Sequence, residues 1–256
     1  MPTLTLATRV YHESQLRQID EMLKSKLQGL NVKTSSAEAD PRGWVQLTVS
    51  GEDEKIALNY LTREFGSRAT DFGSIRKYSD LRGYIKEATK EALSIDVGIS
   101  MPKTVDASIS LNQLQAQLVE GRKVALIKIV DLYGLITNLP LTVKILSAEV
   151  DKLEAELDEK QVNQYAGWVE SMLDRLIIVG STRGEVEAVL RNAHLERDIV
   201  DNEDLGLLEH SVVCKLGTDA VGLIPRMGYR LRHAAFAVFS PKRITEFLRA
   251  NDNLLS

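Results

Sequence analysis

Residues 82–99 read RGYIKEATKEALSIDVGI. Gly83-Tyr84-Ile85 and the run Leu93-Ser94-Ile95-Asp96-Val97-Gly98-Ile99 flank a charged turn, and the second run alternates apolar with small or polar residues. Alternation of that kind places successive side chains on opposite faces and predicts two short antiparallel strands. The glycines fall where a strand must bend or another backbone must come close, so the sheet they belong to is expected to be strongly curved.

The same grammar runs through residues 76–146. SMPKTVDASISL predicts a third strand behind a loop at Pro102-Lys103-Thr104, and NQLQAQL (112–118) a short helical turn. Glu120-Gly121 then makes a tight turn into RKVALIKIVDLY, read as a fourth strand, and PLTVKIL follows the Asn138-Leu139-Pro140 break as the fifth. Five short strands with a helical turn between the third and fourth predict a five-stranded Greek-key barrel of the OB type.

Other patterns flank it. TLTLATRVY (3–11) alternates, and Leu16, Ile19, Met22, Leu23 and Leu27 form the stripe of a helix capped by Ser14 and ended by Gly29. LNVKTSS and WVQLTV (44–49) read as strands around the DPRG turn, and Ile56, Ala57, Tyr60, Leu61 and Phe65 as a second helical stripe. The order β-α-β-β-α is most of a ferredoxin-like unit. From Ser147 to about Asp174 the pattern reads as helical; beyond it DRLIIVG predicts a buried strand, and Thr182 with Glu185 a capping box opening a helix. Gly217-Thr218-Asp219 reads as a hairpin turn, and Ser240-Pro241 opens a last helix. The expected fold class is therefore α+β in three units: residues 1–70 ferredoxin-like, 76–147 an OB barrel, and 148–256 an acidic helical connector followed by a basic α+β unit.

Charge is segregated along the chain although the formal total is only −4. Residues 149–174 carry Glu149, Asp151, Glu154, Glu156, Asp158, Glu159, Glu170 and Asp174 against Lys152 and Lys160, a local −6. Residues 215–249 carry Lys215, Arg226, Arg230, Arg232, Lys242, Arg243 and Arg249 against Asp219 and Glu246, a local +5. A basic unit of this kind marks a candidate polyanion-binding face. Arg230 and Arg232 are i and i+2, which on a strand would point one way, and Tyr229 and His233 interleave with them. No apolar run reaches the ~18 residues that span a bilayer, and MPTLTLATRV lacks the layout of a signal peptide. Cys214, the one cysteine, has no partner for an internal disulfide, which fits a reducing cytoplasm.

The barrel run, with Val105-Asp106-Ala107, Ile109, Leu111, Gln117-Leu118 and Gly121, resembles the S1 type of OB-fold RNA-binding domain over about 65 residues. The resemblance implies a sheet face and loops that receive single-stranded RNA, for which stacking aromatics and a basic groove are needed. Tyr84, Tyr133, Lys86, Lys103, Arg122 and Lys123 are the barrel's candidates; Arg226, Tyr229, Arg230, Arg232, Lys242 and Arg243 are those of the C-terminal face. The barrel is thin in aromatics, with Tyr78 just ahead of it. Together with LLEHSVVCKLGTDAVGLIP (207–225), the barrel run also resembles a family of archaeal conserved proteins of unknown function.

Catalytic and metal readings are weaker. His210, Cys214 and Asp219 are the residue types of a base, a nucleophile and an orienter, but His210 and Cys214, as i and i+4 on a strand, would lie about 13 Å apart, and Cys214 reads as a core residue. His12, His194, His210 and His233 show no ligand spacing. LIIVGSTRGEVE is neither a phosphate-binding loop nor a dinucleotide fingerprint, and Arg183 would be the side chain to assist an anion there. No catalytic residue, metal or cofactor is assigned. The expectation is a non-enzymatic RNA-binding accessory protein of archaeal translation or transcription; the alternative is an adaptor docking a ribosomal or polymerase assembly without touching RNA.

Overall fold

The computed structural model describes residues 3–66, 68, 71–149 and 152–252. The chain is a mixed α+β protein of two compact units, residues 1–70 and 71–256.

The first unit runs β1 (Thr3–Arg9), α1 (Glu13–Lys26), β2 (Val32–Thr34), β3 (Glu38–Ala39), β4 (Trp44–Gly51) and α2 (Glu54–Phe65). Its sheet is antiparallel in the order β1-β4-β2, with β3 also on β4. Leu6, Val45, Leu47 and Val49 supply the buried strand residues, and Ile19, Leu23, Ala57 and Leu61 the buried helical ones. Period-2 and period-3.6 stripes thus close one core. Trp44 is fully buried, with the Arg68 guanidinium 5.0 Å from its ring centre. The first helix is not capped at Ser14. His12 is the N-cap, and Gln15 Oε1 accepts from the backbone N–H of both Tyr11 and His12.

The second unit begins with β5 (Asp80–Ala88), β6 (Ala92–Ile99) and β7 (Val105–Ser110), then α3 (Leu111–Leu118) and α4 (Leu126–Tyr133), then β8 (Pro140–Glu149) and β9 (Lys152–Leu157). These strands close a five-stranded barrel, β5-β6-β7-β9-β8, antiparallel except for the parallel β7–β9 pair. A barrel is therefore present, but two of its elements depart from the sequence reading. The expected fourth strand, RKVALIKIVDLY, contains α4. Its Leu126, Ile129, Leu132 and Tyr133 are buried at helical spacing, and left-handed Gly134 ends the helix by donating to Val130 O. The real fifth strand is β9, inside the stretch expected to be a helical connector. Leu153, Ala155 and Leu157 face inward while Glu154 and Glu156 stay on the wetter side. Pairing with two neighbours overrides the helix propensity of Glu and Ala. Asp151, counted in the acidic stretch, lies outside the described residues.

The chain continues with α5 (Glu159–Ser171), β10 (Arg175–Val179), α6 (Arg183–Asn192), β11 (Ile199–Asp204), β12 (Glu209–Cys214), α7 (Ala220–Gly228), β13 (Ala235–Phe239) and α8 (Pro241–Asp252). The four strands form an antiparallel sheet, β11-β12-β10-β13. Its faces have different partners. Leu176, Ile178, Val212 and Cys214 pack with Val186, Val189 and Leu190 of α6 and with Ala220, Leu223 and Met227 of α7. On the other face Gly134, at the end of α4, sits so close that a Cβ there would lie 3.1 Å from Ile177 Cδ1. Tyr133, Tyr165 and Trp168 cluster around Phe239 on that side, with ring centres 5.2–6.1 Å from it. Barrel and sheet share this aromatic seam. No helix among the described residues is long and apolar enough to cross a membrane.

Candidate nucleic-acid interface

Gly217-Thr218-Asp219 does not turn a hairpin. Asp219 caps α7, its Oδ1 accepting from the Val221 N–H at 3.0 Å, and Ala220, Leu223 and Met227 bury one stripe of the helix. Burying that stripe leaves Val221, Pro225, Arg226, Tyr229 and Arg230 on the exposed side. Pro225, inside the helix, lacks the N–H that would bond one turn back, so α7 forgoes one of its intrahelical hydrogen bonds.

Arg230 and Arg232 therefore lie in the turns after α7 and not on a strand, so the i and i+2 argument does not apply to them. Tyr229 is the C-cap residue and is 74% exposed. The Arg232 guanidinium lies 5.4 Å from its ring centre, with Nε donating to Tyr229 O at 3.4 Å. Arg226 reaches across to donate from Nη2 to Ala193 O at 2.7 Å, which fixes it beside the end of α6. Arg226, Tyr229, Arg230 and Arg232 are all exposed and follow one another closely at the end of α7, the tightest grouping along the chain of basic and aromatic residues among the candidates. An arginine plane against an exposed tyrosine presents both a phosphate partner and a stacking surface.

The other candidates are drawn elsewhere. Tyr84 is 1% exposed inside the barrel, and Tyr133 is 4% exposed in the aromatic seam, its hydroxyl donating to Leu118 O. Neither ring has a face for a base, so the stacking role expected of both is corrected. Their positions in strand and helix turn them toward cores. Burial also pushes the Tyr133 hydroxyl pKa up to about 12. Lys86 donates to Asp106 Oδ2 at 2.6 Å, and Arg122, nearly buried, lies 3.1 Å from Glu120. Arg243 bonds Asp131 of α4 at 2.6 Å, and Lys242 approaches Glu246 at 3.9 Å along α8. Lys103 and Lys123 lie on separate loops. The outward face of β6 and β7 carries Ser94, Asp106, Ser108 and Ser110 among the described residues, with no aromatic.

Two features fall outside the assigned site candidates. Tyr78 is 64% exposed, with Lys77 Nζ 4.8 Å from its ring centre. The signal available was a tyrosine directly after Arg76-Lys77 and ahead of the first barrel strand. The second is a polar knot around the buried His210. The hairpin β11–β12 pairs Asp204 with His210, whose Nδ1 is 2.9 Å from Asp204 Oδ1 and whose Nε2 is 2.9 Å from Ser181 O. Arg183 donates to the other Asp204 oxygen at 2.8 Å and to Glu187, so it is held by carboxylates and not presented to an anion. Thr182 and Glu185 make the expected capping box. Cys214 sits in the sheet core, and burial raises its thiol pKa to about 12. A thiol so held stays protonated and is a poor nucleophile. Beside the knot, Arg82 of β5 donates to Leu205 O, and a cavity of about 180 Å³ opens between Arg82, Thr142, Gln161, Trp168 and Asp204.

Family models match nearly the whole chain: the DUF2110 N-terminal domain over residues 3–71, the DUF2110 central domain over 77–169 and the DUF2110 C-terminal domain over 173–239. No curated protein matches it. The crystal structure of ttk003000868 from Thermus thermophilus aligns at 13% identity with a TM-score of 0.16, covering 97% of this chain and 42% of that one, too little likeness to carry an argument. The chain spans about two fifths of that protein's length. On the three consecutive domain matches, the chain belongs to the DUF2110 family.

Proposed function

We propose that this protein is a non-enzymatic RNA-binding accessory protein of the translation or transcription machinery, working in the cytoplasm, and that the tip of α7 is its principal contact. The observation that carries the reading is the exposed Tyr229 ring with Arg232 against it, and with Arg226 and Arg230 exposed within three residues of it along the chain. Bases of any sequence stack on such a ring, and the guanidinium groups track phosphates. In this reading the barrel is an S1-like OB domain used mainly as a scaffold. The closure through a parallel β7–β9 pair and the helices between β7 and β8 support that assignment. The β1-β4-β2 sheet with α1 and α2 supports a ferredoxin-like first unit lacking its last strand.

The test is a titration of a labelled single-stranded RNA at two salt concentrations. Affinity is expected to fall steeply with salt, about 0.7 in log–log slope for each phosphate neutralised. Arg230→Ala with Arg232→Ala is expected to flatten that slope by roughly 1.4, two phosphates' worth. Binding that ignores salt, or a double variant with the wild-type slope, would sink the reading. A second reading, the protein adaptor, is favoured by one observation: Leu216, 81% exposed in the turn before α7, and exposed Val221 in its first turn are close in sequence to Tyr229 at its end. Partners that survive nuclease treatment in a pull-down would favour it.

A further inference from the structure

Among the described residues only two aromatic side chains are largely exposed, Tyr229 and Tyr78, and each has a cation over its ring. The second of these lies at the entry to the barrel. Tyr78 has φ +65°, a left-handed conformation that a bulky residue adopts only when its surroundings impose it. The surroundings do so here. The Tyr78 N–H donates to Ile145 O at 2.7 Å, and the Ile145 N–H donates to Ser79 O at 3.0 Å, which extends the β5–β8 pairing past its last register pair, Asp80 with Lys144. Ser79 closes the turn from the other side, its N–H and Oγ donating to Arg76 O at 3.1 and 2.7 Å. Arg76 and Lys77 are exposed, and no carboxylate among the described residues pairs with either. An exposed ring on a backbone fixed in this way, with Lys77 over it and the exposed Arg76 two residues before it, offers a planar, anionic partner a stacking face and two cations already close together.

We infer that Arg76, Lys77 and Tyr78 form a second contact for single-stranded RNA, with Tyr78 stacking one base and Arg76 and Lys77 meeting the adjoining phosphates. The inference rests on the proposed function and extends it. The strand that the α7 tip binds also runs over the barrel, at the end where β5 begins and not on the outward face of β6 and β7.

The experiment uses the full chain, an end-labelled 12-nucleotide single-stranded RNA and a set of variants. Tyr78→Asn removes the ring while tolerating the left-handed backbone, so the variant keeps its fold, and a thermal melt checks that it does. Tyr78→Phe keeps the ring. Loss of one stacked base predicts about tenfold weaker binding for Tyr78→Asn, wild-type affinity for Tyr78→Phe, and a further loss when Tyr78→Asn is combined with Tyr229→Ala. Wild-type affinity for a folded Tyr78→Asn beside weakened Tyr229→Ala overturns this inference and leaves the α7 reading standing. A wild-type chain that does not bind the RNA even at low salt overturns both.

Discussion

A Cβ at position 83 would lie 2.7 Å from Asp96 O and from Ile95 Cγ2, so the backbone of β5 can pass β6 this closely only at a glycine. That constraint is visible in the sequence as Gly83-x-Ile85, because a missing side chain inside an alternating run has few other causes. His210 is the opposite case. Its residue type was visible, but its surroundings come from a hairpin and a neighbouring strand end. Burial pushes the imidazole pKa below its ordinary value and outweighs the upward pull of Asp204 and the Ser181 carbonyl; Arg183 lowers it further. Between the folded and unfolded pKa values the unfolded chain binds more protons, so stability present above the unfolded value of about 6.5 is lost as pH falls through the folded value. The midpoint of urea unfolding is therefore expected to drop as pH falls below about 6.5, and His210→Gln is expected to flatten that part of the profile. An unchanged profile in the variant would place the titration on other groups.

At the scale of elements, the strands with strict alternation and a glycine or turn at each end were legible, and so were helices with a cap at one end. α4, β9 and α7 were not, for one shared reason. Short segments such as LIKIVDLY fit period 2 and period 3.6 equally well, and only their neighbours decide between them. The seam where α4, α5 and β13 meet is one such decision. Tyr133, Tyr165 and Trp168 converge on Phe239, which is fully buried, and Arg175 lies against the Trp168 ring at 4.6 Å. Phe239→Ala is expected to cost about 3–5 kcal/mol, read as a lower denaturant midpoint. A loss below about 1 kcal/mol would mean that the seam repacks around the gap.

Over the whole molecule the segregation of charge was legible, but its meaning changed in three dimensions. The acidic stretch is no connector. It supplies a barrel strand and the helix α5, where Glu154 pairs with Lys152 at 2.6 Å and Asp158 caps α5. The basic stretch divides in turn: Arg243 and Lys242 are drawn toward Asp131 and Glu246, while Arg226, Arg230 and Arg232 stay exposed at the end of α7, with Arg232 against the Tyr229 ring. Half of the expected interface thus dissolves into ion pairs and cores, because pairing and burial are tertiary facts that residue counts do not contain. The tip of α7 remains as the proposed contact for RNA. Ultraviolet cross-linking of a uridine-rich single strand to the protein, followed by peptide mapping, tests it most directly. Cross-links are expected at Tyr229 and its flanking residues. Cross-links confined to the outward face of β6 and β7, or none at all under low salt, would contradict the proposal.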